Sequence, residues 1–200
     1  MDLEQKVIEE VKTWTNQVLD QPNPFFNDLP ACPYAKKAFV TEKVGFSFSY
    51  DKGMQGLYTV LSQFDDTFDV ILYVQFEFVE EPQEFHDYLA ALNQAISMGI
   101  FIQTDLWVMG FHPSDETEEV FDQEFDHVVD EPYAMIFVQR LSKIEKSAEM
   151  LREKGYYDQY LKDPQTASLW DERQLFYRRL CDAGTKRNEK WYVQAEGKAS

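Results

Sequence analysis

Val44, Phe46, Phe48 and Tyr50 alternate with Gly45, Ser47 and Ser49, which is the period of a half-buried β-strand. Three further segments read as strands: FDVILYVQFEF at 68–78, IFIQTDLWVMGF at 100–111 and AMIFVQR at 134–140. Between and around them the period changes to that of a helix. Leu3, Val7, Val11, Trp14 and Val18 recur at steps of three or four and predict an amphipathic helix over 2–20. After Asp51-Lys52-Gly53, the residues Met54, Leu57, Tyr58 and Leu61 share one helical face. Phe85, Tyr88, Leu89, Leu92 and Ile96 mark another helix that closes at Gly99. Ser142 and Glu145 have the spacing of a capping box ahead of Ile144, Ala148 and Leu151. A last helix is expected over 166–182, and four prolines within 21–33 exclude regular structure there.

This order predicts an α+β domain over residues 1–183, with 184–200 as a flexible tail. The expected core is a four-stranded, mainly antiparallel sheet with helices on one face, ferredoxin-like in its later elements, plus N- and C-terminal helices. Two hundred residues, 44% hydrophobic and 16% aromatic, suffice for one such core. On the other face, Tyr73, Gln75 and Glu77 share one side of the second strand, as Gln103, Asp105 and Trp107 share one side of the third. These polar and aromatic groups could line a pocket there, or form the solvated side of the sheet.

Charge narrows the partners. The formal net charge is -17, and between Lys52 and Arg140 there is no Lys or Arg while 18 Asp and Glu accumulate. Such a field repels nucleic acid and anionic membranes and attracts cations and basic proteins. No apolar run approaches the roughly 20 residues that cross a bilayer, and MDLEQKVIEEVK lacks the basic, then apolar, order of a secretory signal. A cytoplasmic location is expected, with Cys32 and Cys181 as thiols.

Several residues carry candidate chemistry. Cys32 precedes Lys36 and Lys37, which would stabilise a thiolate if the segment turned into a helix; a buried small side chain is the other reading. His112 ends a strand, and with His127 and one of Asp115, Glu116 or Glu119 it could bind iron or zinc. Glu77 and Asp105 are further ligands to such a divalent metal. Arg140 follows 87 residues without a Lys or Arg, so it either pairs with a carboxylate such as Asp105 or Glu131 or waits for an anion. The acidic run from Asp115 to Asp126 reads as a solvated loop between two anchored ends, with calcium or magnesium binding as the competing account. No phosphate loop, His-Glu-x-x-His or Gly-x-Ser-x-Gly occurs.

Cys32-Pro33-Tyr34-Ala35, Phe111-His112-Pro113 and Glu131-Pro132-Tyr133-Ala134 ending in Arg140 together resemble an uncharacterised bacterial family of domains of unknown function. That family carries Cys-Pro-Phe-Ala, Phe-His-Pro and Ser-Pro-Tyr-Pro followed by Arg, and the resemblance spans about residues 10–155. Here Tyr34, Glu131 and Ala134 replace family residues, and Val129-Asp130 stands where the family has Asn-Arg. The resemblance implies one site built from Cys32, His112, Tyr133 and Arg140. The expected function is a small enzyme acting on a small, carboxylate-bearing substrate. Its catalytic residues would be His112, Cys32 and Tyr133, and its binding residues Arg140, Gln103, Asp105 and Trp107. The alternative is a non-catalytic acidic protein that binds a basic partner by imitating the charge of nucleic acid.

Overall fold

The computed structural model describes residues 1–101, 103–115 and 128–188. Helix α1 runs over Leu3–Trp14, opened by Asp2, whose carboxylate accepts the Gln5 amide at 2.9 Å. It continues into one widened turn, Thr15–Leu19, closed by a bond from the Asp20 amide to the Thr15 carbonyl. The proline-rich stretch is more regular than expected. Strands β1 (Pro22–Asn23) and β2 (Leu29–Pro30) pair across a tight 3-10 turn at Pro24–Phe26. Proline suits the first helical position because its missing N–H is not needed there. Helix α2 spans Ala35–Val40.

The main sheet comprises β3 (Val44–Ser49), β4 (Val70–Gln75), β5 (Trp107–Phe111) and β6 (Ala134–Gln139), in the order β3-β4-β6-β5. Helix α3 (Gln55–Gln63) connects the parallel pair β3 and β4. Helix α4 (Pro82–Ser97) leads from β4 to β5, and β6 inserts between those two strands, antiparallel to both. The fold is therefore α+β with a mixed, mostly antiparallel sheet, and β4-α4-β5 is the split unit of ferredoxin-like folds. Gly99, at φ +77°, ends α4: its amide reaches the Ile96 carbonyl and the Ile100 amide the Ala95 carbonyl. Two further α-helices follow, α5 (Leu141–Arg152) and α6 (Pro164–Asn188), and α6 extends past Gly184.

Strand parity sorts the core into two layers. On one face Tyr73, Val108, Ala134, Ile136 and Val138 pack under Leu57 and Leu61 of α3 and Phe85, Leu89, Leu92 and Ile96 of α4. Gly110 sits on this face, where Leu89 and Phe85 occupy the space a Cβ would need. On the other face Leu72, Val74, Tyr133 and Met135 pack against Val7 and Val11 of α1, flanked by Phe46, Phe48 and Phe76.

This arrangement corrects the expectation of a polar pocket formed by Tyr73, Gln75, Glu77, Gln103, Asp105 and Trp107. Tyr73 and Gln75 are fully buried, Tyr73 in the core under α3 and α4 and Gln75 with its amide on the Met54 sulfur at 3.7 Å. Glu77 is exposed beyond the end of β4. Strand β5 is shorter than the 100–111 segment because Gln103 and Asp105 are drawn out of the ladder. The Gln103 amide donates to the Phe64 carbonyl, and Asp105 accepts the Ser142 amide at 2.8 Å and its hydroxyl at 2.6 Å. Asp105 thus caps α5. The Ser142–Glu145 capping box does not form, since Arg140 holds the N-cap position and Ser142 lies inside the first turn. Glu145 is instead buried against α6, where its carboxylate accepts Arg173 Nε at 2.5 Å and the Gln174 amide.

Candidate functional site

Helix α1 presents Val7, Glu10, Val11 and Trp14 at helical spacing toward the sheet, so one carboxylate lies in an otherwise apolar stripe. A buried carboxylate requires donors, and Glu10, 1% exposed, has them. Its Oε2 accepts the Val128 and Val129 amides at 2.6 and 2.9 Å, and its Oε1 accepts the Tyr133 hydroxyl at 2.6 Å. These bonds fasten the segment leading into β6 onto α1. Burial, then the hydrogen bond and charge of Glu10, push the Tyr133 hydroxyl well above the usual phenol range.

Beside this tie lies a cavity of about 340 Å³, a size that suits a small ligand. Val11, Trp14, Phe111, Val129 and Met135 give it an apolar and aromatic lining, with Pro113 and Pro132 at its margins. Trp14 and Phe111 stand 6.2 Å apart between ring centroids and are tilted by 47°. The polar lining is Glu10, Tyr133 and the exposed Asp130 and Glu131. No Lys, Arg or His lines it among the described residues. The cavity therefore combines aromatic surface with negative charge, a setting that attracts a cation and repels an anion.

Of the residues anticipated from sequence, Tyr133 alone lines this cavity. His112 is fully buried on the opposite face of the sheet, 5.0 Å from the Phe78 ring and 5.5 Å from that of Phe85. The Ser114 amide donates to its Nδ1 at 3.1 Å, so the ring proton resides on Nε2 and is donated to the Val79 carbonyl at 2.8 Å. Both nitrogens are thereby used in pinning the chain after β5. Asp115 completes that turn by accepting the His112 amide at 2.7 Å and engaging His86 at 2.8 Å. Arg140 lies beyond the far end of β6, roughly 23 Å from Tyr133 at about 3.3 Å per strand residue. It donates to Gln103 at 2.5 Å, lies 3.5 Å from Asp66, and covers the Phe64 ring at 5.0 Å. Trp107 packs on Leu141 and Phe176.

Cys32 belongs to a third location. Its amide donates to the Leu19 carbonyl, and the neighbouring Ala31 carbonyl accepts the Tyr156 hydroxyl within an aromatic cluster of Phe26, Tyr156 and Tyr157. Burial pushes the Cys32 thiol up, and the Tyr34 and Ala35 amides offset this only in part. Lys36 is committed to Asp20 at 2.6 Å. The single site expected of Cys32, His112, Tyr133 and Arg140 is thus divided among separate parts of the fold, because the sheet intervenes between His112 and Tyr133 and the length of β6 separates Tyr133 from Arg140.

The metal set of His112, Glu77 and Asp105 does not assemble either. His112 and Asp105 are engaged as described, and Glu77 faces solvent. Among the described residues, no three of His, Cys, Asp and Glu gather at ligating range. The alternative set with His127, Glu116 and Glu119, and most of the acidic run, lie outside the described residues. Glu10 and Trp14 were missed by sequence reasoning as functional positions. The available signal was a carboxylate three residues after Val7 and one before Val11 on a stripe that otherwise carries only apolar side chains.

No protein-family model, curated protein or solved structure matches this chain. No helix among the described residues is long and apolar enough to cross a membrane.

Proposed function

We propose that this chain is a cytoplasmic small-molecule-binding domain whose ligand is an organic cation with an apolar body, held in the cavity between α1 and the β5–β6 end of the sheet. The observation that carries this reading is the lining itself: Trp14 and Phe111 beside Glu10, Asp130 and Glu131, with no basic side chain among the described residues. A carboxylate-bearing substrate, suggested by Arg140 in the sequence, would meet like charge here, while Arg140 is already paired at the other end of β6. Two of the three sequence patches that resemble the bacterial family flank the cavity, through Phe111, Pro113, Glu131, Pro132 and Tyr133. Any catalysis on the bound ligand would draw on Tyr133 and Glu10.

Calorimetric titration with butylammonium and with butyrate tests the reading. The cation should bind and raise the melting temperature, and an Asp130→Asn/Glu131→Gln variant should weaken binding without altering circular dichroism. Equal binding of butyrate would refute it. A second reading, an acidic surface for a basic protein, rests on exposed Glu80, Glu81, Glu84 and Asp87 at the start of α4 in a stretch free of Lys and Arg. That interaction would weaken steeply as salt rises, and it would be insensitive to changes at Trp14.

A further inference from the structure

The cavity offers a cation charge and aromatic surface but, among the described residues, few side-chain hydrogen-bond acceptors at its inner wall. Glu10 is the buried carboxylate of the lining, and its two oxygens already accept three donors, from Val128, Val129 and Tyr133. The Tyr133 hydroxyl donates its proton to Glu10, which leaves its phenol oxygen as a single acceptor. Asp130 and Glu131 are exposed and supply charge from the rim. The remaining lining side chains are Val11, Trp14, Phe111, Pro113, Val129, Pro132 and Met135, none of which accepts a strong hydrogen bond.

A primary ammonium is a compact, strongly hydrated charge that needs three acceptors when water is removed. A quaternary ammonium has no N–H to satisfy, spreads its charge over its methyl groups, and gains most from aromatic faces. Building on the organic-cation reading above, we propose that the cavity selects quaternary or fully methylated ammonium groups over primary amines. Trp14 and Phe111, tilted at 47° and 6.2 Å apart, are the specificity-determining residues, and the rim carboxylates provide the attractive field.

Calorimetry on the full chain with choline, ethanolamine and the uncharged carbon isostere of choline tests this proposal. Choline should bind at least about tenfold more tightly than ethanolamine, and the isostere more weakly still, consistent with the strength of a desolvated cation–aromatic contact. Trp14→Leu should reduce the choline-to-ethanolamine ratio toward one. Phe111→Leu provides the same readout if the Trp14 variant does not fold. Ethanolamine binding as tightly as choline, with both above the isostere, would overturn the selectivity while leaving the organic-cation reading intact. An isostere that binds as well as choline, or no binding by any of the three, would overturn both.

Discussion

Replacing Glu10 by alanine removes at once the acceptor for three donors. Val129 and Tyr133 are buried, and leaving each donor unsatisfied costs about 1–3 kcal/mol. Val128 is exposed, so its amide can turn to water at about 1 kcal/mol or less. The expected loss for Glu10→Ala is therefore about 4 kcal/mol, a large share of the roughly 5–15 kcal/mol that holds a domain folded. Glu10→Gln keeps the shape and one acceptor oxygen for the two amides, while its amide group can donate to the Tyr133 oxygen. It forfeits mainly the charge assistance of those bonds, about 1–2 kcal/mol. Urea unfolding at neutral pH, followed by far-ultraviolet circular dichroism, measures both. In the Gln variant, ligand binding should persist, because the wall from Val128 to Tyr133 stays attached to α1. Losses under about 1 kcal/mol for both variants, or a Gln variant as unstable as the Ala variant, would refute the role assigned to this carboxylate.

Gly110→Ala should destabilise by about 2–3 kcal/mol through overpacking, since the new methyl meets Leu89 and lies 2.9 Å from Phe85 Cζ. By contrast, Gly184→Ala, with nothing within 4 Å, should stabilise α6 by up to about 1 kcal/mol; equal shifts in chemical denaturation would contradict the placement of β5 under α4. Cys32 should alkylate more slowly than a free thiol at neutral pH and at the ordinary rate once unfolded, because burial raises its pKa; mass-spectrometric labelling faster than free glutathione would disprove this. Tyr133 and Tyr156 hold their protons more tightly folded than unfolded, chiefly through burial. Their contribution to stability should therefore be flat below about pH 10 and fall as pH rises beyond it. Tyr133→Phe should shallow that fall in alkaline thermal melts, and identical alkaline limbs would count against the buried tie.

Periodicity and turn chemistry were enough to identify the four strands of the main sheet and most helices, since these are properties of neighbours along the chain. Val44 to Ser49 alternate because a strand turns successive side chains to opposite faces, and Gly99 ends α4 because its backbone is left-handed there. The same local logic failed at Ser142. The capping oxygen for α5 comes from Asp105, 37 positions earlier, and no pattern near residue 142 records it.

The site was less legible than the fold. Helical spacing places Glu10 on the buried stripe of α1, but its partner Tyr133 lies 123 positions away, and only the packing of α1 onto the sheet brings them together. Strand parity decided the rest. The pairing of Phe111 with Met135 puts Tyr133 on the α1 face, while His112, one residue past Phe111, turns to the opposite face against Phe85. Residues expected to share one site can thus be separated by a sheet, since a one-residue step along a strand reverses the direction of the side chain. The sequence by itself determined which segments form the main sheet and most of the helices, where α4 ends, and that the molecule carries a strong negative charge. Which face each side chain joins, which carboxylate is tied to Tyr133, and where a cavity opens depend on strand order and helix docking, which are set by contacts between segments far apart in the chain.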